Sequence, residues 1–262
     1  MSAIHSIESS IHVDHRDITH PQLYCKVSDG EHLCRAGADT VDLWIADLDS
    51  SIDQACISEA EYEASRRFHF PKDQQRSRNT RALTRLILSK YLNRSPEVLE
   101  FKRNDCGKPY LEGQDNRLRF NLSHGGGKLC IAVAWDCDLG VDLEVRRPID
   151  DASDLVDRFF HPNEATRFRR LPKHLQLESF LRTWTAKEAL LKATGIGLNA
   201  DLSFSELTTY PLSPLRLLNV DPEWGHPQNW TLICPQVAPD LFLSLAVPRP
   251  VEGLKIFKVD GI

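Results

Sequence analysis

No stretch of the chain approaches the roughly 18 consecutive apolar residues that cross a bilayer, and the mean hydropathy is −0.35. An integral membrane protein is therefore not expected. Positive charge is not in excess: 32 Lys and Arg stand against 37 Asp and Glu, a net charge of −5. That balance argues against a nucleic-acid partner, which calls for a net basic face. The seven cysteines are odd in number and none fall in a C-x-x-C pair. Neither a disulfide framework nor a thiolate zinc site is indicated, and reduced thiols in a cytoplasmic protein fit the pattern. Residues 1–38 lack the basic start and unbroken apolar stretch of a signal peptide, so export is not expected. No G-x-S-x-G elbow surrounds Ser123, and its neighbour His124 projects to the opposite face of a strand, which sets a serine triad aside.

What is present suffices for a real core. The 262 residues are 41% apolar and 26% charged, the profile of one large globular domain or two small ones around a shared core. Five of the ten histidines lie in the first 38 residues. His12, His15 and His20 could gather a metal, but a polar tail of this kind is more simply read as mobile. VDLWIADL, 41–48, alternates as a half-buried strand does. Helices are expected over about 53–68 and 73–92, the second carrying Arg78, Arg81 and Arg85 as a stripe that is either a solvated face or an anion-binding wall. RLRFNLSH, KLCIAVAWD and LGVDLEVR then read as a β meander. Helical patterns return over about 152–170 and 176–194, and short strands such as NWTLIC, DLFLSLAV and LKIFKV follow.

Arg67-Phe68-His69-Phe70-Pro71 and Arg158-Phe159-Phe160-His161-Pro162, each followed by helical sequence, form a weak internal repeat. The expected organisation is thus a tail, 1–38, an N-terminal α/β half, 39–118, and a C-terminal half, 119–262, that carries the metal site. The fold class is α+β, a pseudo-twofold pair of similar subdomains with the active site in the cleft between them.

Asp142 and Glu144 lie two apart on a strand and so share a face. Two carboxylates held together call for a cation or for one of them to take a proton, and a hard divalent ion such as Mg²⁺ is the natural third party. Trp184, Glu188 and Lys192 stack along one side of a helix, adding a third carboxylate with a cation beside it. An exposed i, i+4 ion pair is the plainer reading of Glu188 and Lys192. Asn121, Ser123 and His124 run into Gly125-Gly126-Gly127, whose amides can face an anion. Gly107-Lys108-Pro109-Tyr110 is a second tight turn that offers one lysine.

In this order, Gly107-Lys108-Pro109, Phe120-Asn121-Leu122-Ser123-His124, Gly140-Val141-Asp142-Leu143-Glu144 and Trp184-x-x-Lys187-Glu188-Ala189-x-x-Lys192-Ala193-x-Gly195-x-Gly197-Leu198 resemble the large, two-lobed, Sfp-like 4′-phosphopantetheinyl transferases over about residues 41–210. The resemblance implies transfer of the phosphopantetheine arm of coenzyme A to a serine of an acyl, peptidyl or aryl carrier protein, releasing adenosine 3′,5′-bisphosphate. It implies Mg²⁺ on Asp142, Glu144 and Glu188, with Glu188 taking the serine proton. Lys192 would neutralise the β-phosphate, with Lys187 a nearby cation. Ser123 and His124 would hold phosphates, and the Lys108-Pro109 turn would receive adenine and its ribose phosphate. Two basic positions of some family members align with Glu61 and Ala64. Arg66, Arg67, Arg76 and Ser77 are left as substitutes at the 3′-phosphate, and Arg85 matches a further basic position. A monomer is expected. Two other readings use the same residues: a metal-dependent nucleotide phosphodiesterase acting on CoA without a carrier, and a non-catalytic CoA-binding protein, which would require a missing metal ligand. Arg158, Arg167, Arg169 and Arg170, interleaved with Phe159, Phe160 and Phe168, offer a basic, aromatic surface for the carrier unless the phenylalanines are core.

Overall fold

The computed structural model describes residues 39–197, 201–211 and 213–259, with short backbone segments at 7–8, 10–12 and 26–27. His15, His20 and Leu198 lie outside the described residues, and of His12 only the backbone is described. Strands β1 (Thr40–Asp47), β2 (Leu118–Gly125), β3 (Lys128–Trp135), β4 (Gly140–Val145), β5 (Thr231–Ile233), β6 (Leu241–Val247) and β7 (Gly253–Val259) form the framework. One sheet runs Ser10–His12, β7, β1, β3, β2; the other runs β5, β6, β4. With helices α1 (Glu59–Ser65), α2 (Pro71–Leu92), α3 (Ala152–Phe159), α4 (Pro162–Arg170) and α5 (Lys173–Thr194), the chain is α+β.

β1 is more deeply placed than its alternation suggests, because β7 pairs along it in parallel and β3 antiparallel and both faces are covered. The apolar residues of β1 divide between two cores: Trp44 and Ala46 enter one with Leu83, Ile87, Ile131 and Phe257, whereas Val41, Leu43 and Ile45 enter a second with Ala132, Val141, Leu143 and Leu254. The one charge on β1's inner face, Asp42, is 1% exposed and accepts from the Tyr91 hydroxyl at 2.6 Å, which in turn accepts from Trp44 Nε1 at 2.8 Å. The sheets do not divide at residue 118, since β2 and β3 share a sheet with β1 and the last strand, β7, lies between β1 and Ser10–His12.

The helix expected over 53–68 is confined to α1, where Ser58 and Glu61 form a capping box that starts it late. The helix expected over 152–170 is two. Pro162 opens α4 and the residue before it, His161, is extended with ψ 143°, as a following proline demands. The two R-F-rich repeats meet the same fate, for Pro71 opens α2 as Pro162 opens α4. Among the described residues no helix is long and apolar enough to cross a membrane.

Candidate active site

The site forms where β2 meets the edge of the second sheet. β4 has a strand partner only on its β6 side, so its outward amides need other acceptors. Asn121 Oδ1 takes the Val141 N–H at 2.8 Å and Ser123 Oγ takes that of Leu143 at 3.3 Å. Val141 and Leu143 fill the core on one face of β4, which turns Gly140, Asp142 and Glu144 to the other, where α5 lies. Gly140 permits the close approach: a Cβ there would collide with the Ala189 carbonyl and the Ala193 amide of α5. Glu188 and Lys192 are thereby brought down beside Asp142.

Lys192 Nζ lies 2.6 Å from Asp142 Oδ1 and 3.1 Å from Ser123 Oγ, and the Ser123 hydroxyl donates to the same Oδ1 at 2.8 Å. Asp142 Oδ2 is buried without a hydrogen-bond partner. Burial first, and then the charge of Asp142, push the carboxyls of Glu144 and Glu188 above the ordinary range. As the side chains stand, no group of three or more His, Cys, Asp or Glu among the described residues is gathered as a metal cluster. The donor set nevertheless fits a hard divalent cation in chemistry: three carboxylates, one with an oxygen that has no hydrogen-bond partner, and two whose proton affinity is raised by burial and then by the charge of Asp142, which a cation would offset.

The remaining expected residues divide. His124 is exposed at the end of β2, and partial desolvation followed by repulsion from Lys192 lowers its imidazole pKa, leaving it neutral near pH 7. Lys187 is not in the site. It is 0% exposed, pairs with Glu164 at 2.9 Å and donates to the Leu202 and Ser205 carbonyls. A residue one position from Glu188 points about 100° around the helix, here into the protein. Lys108 is likewise turned inward, its ammonium donating to Leu139 O at 3.0 Å and Lys192 O at 2.8 Å. Lys108 and Pro109 still line a cavity of about 200 Å³ with Tyr110, Arg119, Asp138 and Thr194.

Arg76 forks onto Asp49, both bonds 2.7 Å, so its charge is already matched, and its Nη2 would stand 2.6 Å from a Cβ on Gly127. It braces the glycine turn. Ser77 accepts from Arg81; Arg67 is exposed on the loop before α2. Of the arginine stripe, Arg85 is buried, bonded to Glu61 at 2.9 Å and to the Pro96 and Leu99 carbonyls, and Arg78 donates to Gln54 and Ser65. Most of the stripe is structural, and Glu61, which aligns with a basic position of some family members, is the partner of Arg85. On the proposed carrier surface Phe160 and Phe168 are core, Arg167 is tied to Glu206 and Arg169 to Asp157.

Three contributors escaped the sequence reading. Glu164, partner of Lys187, carries a signal in the spacing His161-x-x-Glu164, a capping box in the structure. Asn104, three before Gly107, holds the turn by accepting from the Lys108 and Cys106 amides, the Asx pattern of a turn. Asp49 had no local signal, because its arginine is 27 residues away.

A strand-borne carboxylate pair thus faces a helix-borne glutamate and lysine, with the Ser123 hydroxyl bridging Asp142 and Lys192. Residues 47–136 match the model described as 4′-phosphopantetheinyl transferase, N-terminal, and residues 138–228 that of the 4′-phosphopantetheinyl transferase superfamily. The 4′-phosphopantetheinyl transferase HetI of a Nostoc species is 35% identical over 215 residues, 81% of this chain and 88% of that protein. The 4′-phosphopantetheinyl transferase of Bacillus subtilis is 31% identical over 152 residues, 58% of this chain and 66% of that one. The L-aminoadipate-semialdehyde dehydrogenase-phosphopantetheinyl transferase of Xenopus laevis is 27% identical over 60% of this chain and 56% of its own. The chain belongs to the 4′-phosphopantetheinyl transferase superfamily.

Proposed function

We propose that this protein transfers the 4′-phosphopantetheine group of coenzyme A to a serine of an acyl, peptidyl or aryl carrier protein, with a divalent cation held by Asp142, Glu144 and Glu188. The observation that carries the reading is the contact of Lys192 and Ser123 with Asp142, beside Glu144 and Glu188, where Gly140 lets α5 approach β4. A bound Mg²⁺ supplies charge stabilisation at the pyrophosphate. Glu188, with a proton affinity raised by burial and by Asp142, is suited to take the proton from the attacking serine. The serine oxygen forms the new bond to the phosphorus nearest the pantetheine, the bridging P–O bond breaks, and adenosine 3′,5′-bisphosphate carries away the electron pair. Lys192 faces the charge that develops there.

The cavity beside Lys108 and Pro109 supports adenosine binding at that end, by the turn and not by the lysine ammonium. His124 is an exposed neutral donor for a phosphate. The proline-opened helices α2 and α4, each after an R-F-rich loop, support a pseudo-twofold relation between the halves. The test is the mass of apo carrier proteins incubated with this protein, CoA and Mg²⁺. One phosphopantetheine group added to one serine is expected. Release of adenosine 3′,5′-bisphosphate from CoA and Mg²⁺ alone, without a carrier, would instead make the protein a phosphodiesterase.

A further inference from the structure

We infer that the Lys192 ammonium is the site's built-in counter-ion, standing on Asp142 where a divalent cation would bind and leaving only when the cation and the pyrophosphate of CoA arrive together. This rests on the metal-dependent reading above. Lys192 Nζ contacts Asp142 Oδ1 and Ser123 Oγ, and its side chain is 28% exposed against 9% for Asp142. The cation that neutralises Asp142 thus has a route to solvent, while the carboxylate does not. Among the described residues the other cation paired with one of the three carboxylates is Arg147, 4.0 Å from Glu144 and 64% exposed, too far into water to serve Asp142.

One ammonium among three carboxylates leaves the site negative, so a cation is still attracted, but it must displace or approach the lysine to reach Asp142. Like charges at such a separation repel strongly when partly buried. Lysine suits the part: its charge is a compact point on a flexible four-carbon stem, able to swing from a carboxylate to a phosphate. The pyrophosphate gives it somewhere to go. Cation and CoA therefore help one another to bind, each raising the other's affinity by the same factor.

A lysine that stood away from the carboxylates and served only to bind phosphate would change cation binding little in the absence of CoA. Titration of the full chain with Mn²⁺, followed by calorimetry or by the electron paramagnetic resonance of free Mn²⁺, separates the two roles. Wild type, Lys192→Met and Asp142→Asn are compared without CoA and with saturating CoA, no carrier being present. Lys192→Met is expected to bind Mn²⁺ at least tenfold more tightly than wild type without CoA, and to show a smaller gain when CoA is added. Lys192→Gln, which keeps a donor toward Asp142 but no charge, is expected to move the same way and stands in if the methionine packs badly. Unchanged or weaker Mn²⁺ binding in both variants overturns the counter-ion role. Wild-type binding that Asp142→Asn leaves intact, or no binding even with CoA, overturns the cation site itself and the inference with it.

Discussion

Gly140 lies directly beneath Ala189, its α-carbon so close to the carbonyl that no side chain fits between strand and helix. The surrounding atoms are α5 backbone, including Lys192 C at 2.9 Å from the position a Cβ would take, so no side chain can swing aside. Gly140→Ala is expected to lift α5 off β4, separating Glu188 and Lys192 from Asp142. Overpacking of this kind costs about 1–3 kcal/mol, and misplacement of a reacting group by an ångström costs about a hundredfold in rate. Paired measurements of Tm and kcat/KM check this, and near-wild-type transfer in Gly140→Ala would refute the registering role.

Glu144 and Glu188 carry a pH dependence of known sign. Their folded carboxyls bind protons more tightly than the ordinary value of 4.5. As pH rises from the unfolded value through the raised folded ones, the unfolded chain releases protons first and the metal-free fold loses stability. Glu188→Gln removes one such group. Its Tm should therefore gain on that of the wild type with rising pH over that window and level off above it. Melting curves in EDTA from about pH 4 to pH 8 would show it, and a Tm difference independent of pH would contradict it.

Lys187 and Glu164 form a fully buried pair, and burial works against both charges, lowering the lysine and raising the glutamate pKa. Lys187→Met alone strands a buried carboxylate, which costs about 3–5 kcal/mol. Lys187→Met combined with Glu164→Gln, which removes the buried charge and keeps an oxygen for the His161 and Leu207 amides, should recover part of that loss. In the double variant the KM for CoA is expected to stay within about twofold of wild type, since the ammonium faces Leu202 and Ser205 and not the cleft. A raised KM at recovered Tm would return Lys187 to the CoA site.

How far the sequence reveals this site follows from the range of each interaction. Asp142 with Glu144, and Glu188 with Lys192, were legible because strand and helix periods place them on shared faces whatever the fold. Their meeting was implied only by the family resemblance, since it depends on a contact between Gly140 and Ala189 that no local pattern encodes. The side-chain partners of Lys187, Lys108 and Arg85 were illegible for a common reason: sequence shows a positive charge, and only tertiary structure supplies its acceptors, respectively Glu164, the end of α5, and Glu61. β1 read as half-buried because Asp42 and Asp47 mimic alternation, whereas Asp42 is an inward group whose Oδ2 accepts from the Tyr91 hydroxyl.

Lys108 and His124 were both expected at CoA, and the structure separates them: the Lys108 ammonium is spent on backbone carbonyls, whereas His124 is exposed. Lys108 Nζ supplies the Leu139, Lys192 and Ala193 carbonyls, closing the last turn of α5 as a cation does at a helix C-terminus. Lys108→Met strips those donors, and with about 1–3 kcal/mol at stake for buried acceptors left unmade, both Tm and kcat should fall, because that turn carries Lys192. His124 accepts no such duty: it is exposed and held neutral by desolvation and by Lys192. His124→Ala should leave Tm nearly unchanged and raise the KM for CoA several-fold with little loss of kcat, as expected for a group that binds ground and transition states alike. A donor lacking the 3′-phosphate distinguishes which phosphate His124 meets: if the histidine holds the 3′-phosphate, His124→Ala weakens CoA but not the truncated donor, and equal weakening of both assigns it to the pyrophosphate. A fall in kcat for His124→Ala matching that of Lys108→Met would show that the two act together on α5 after all.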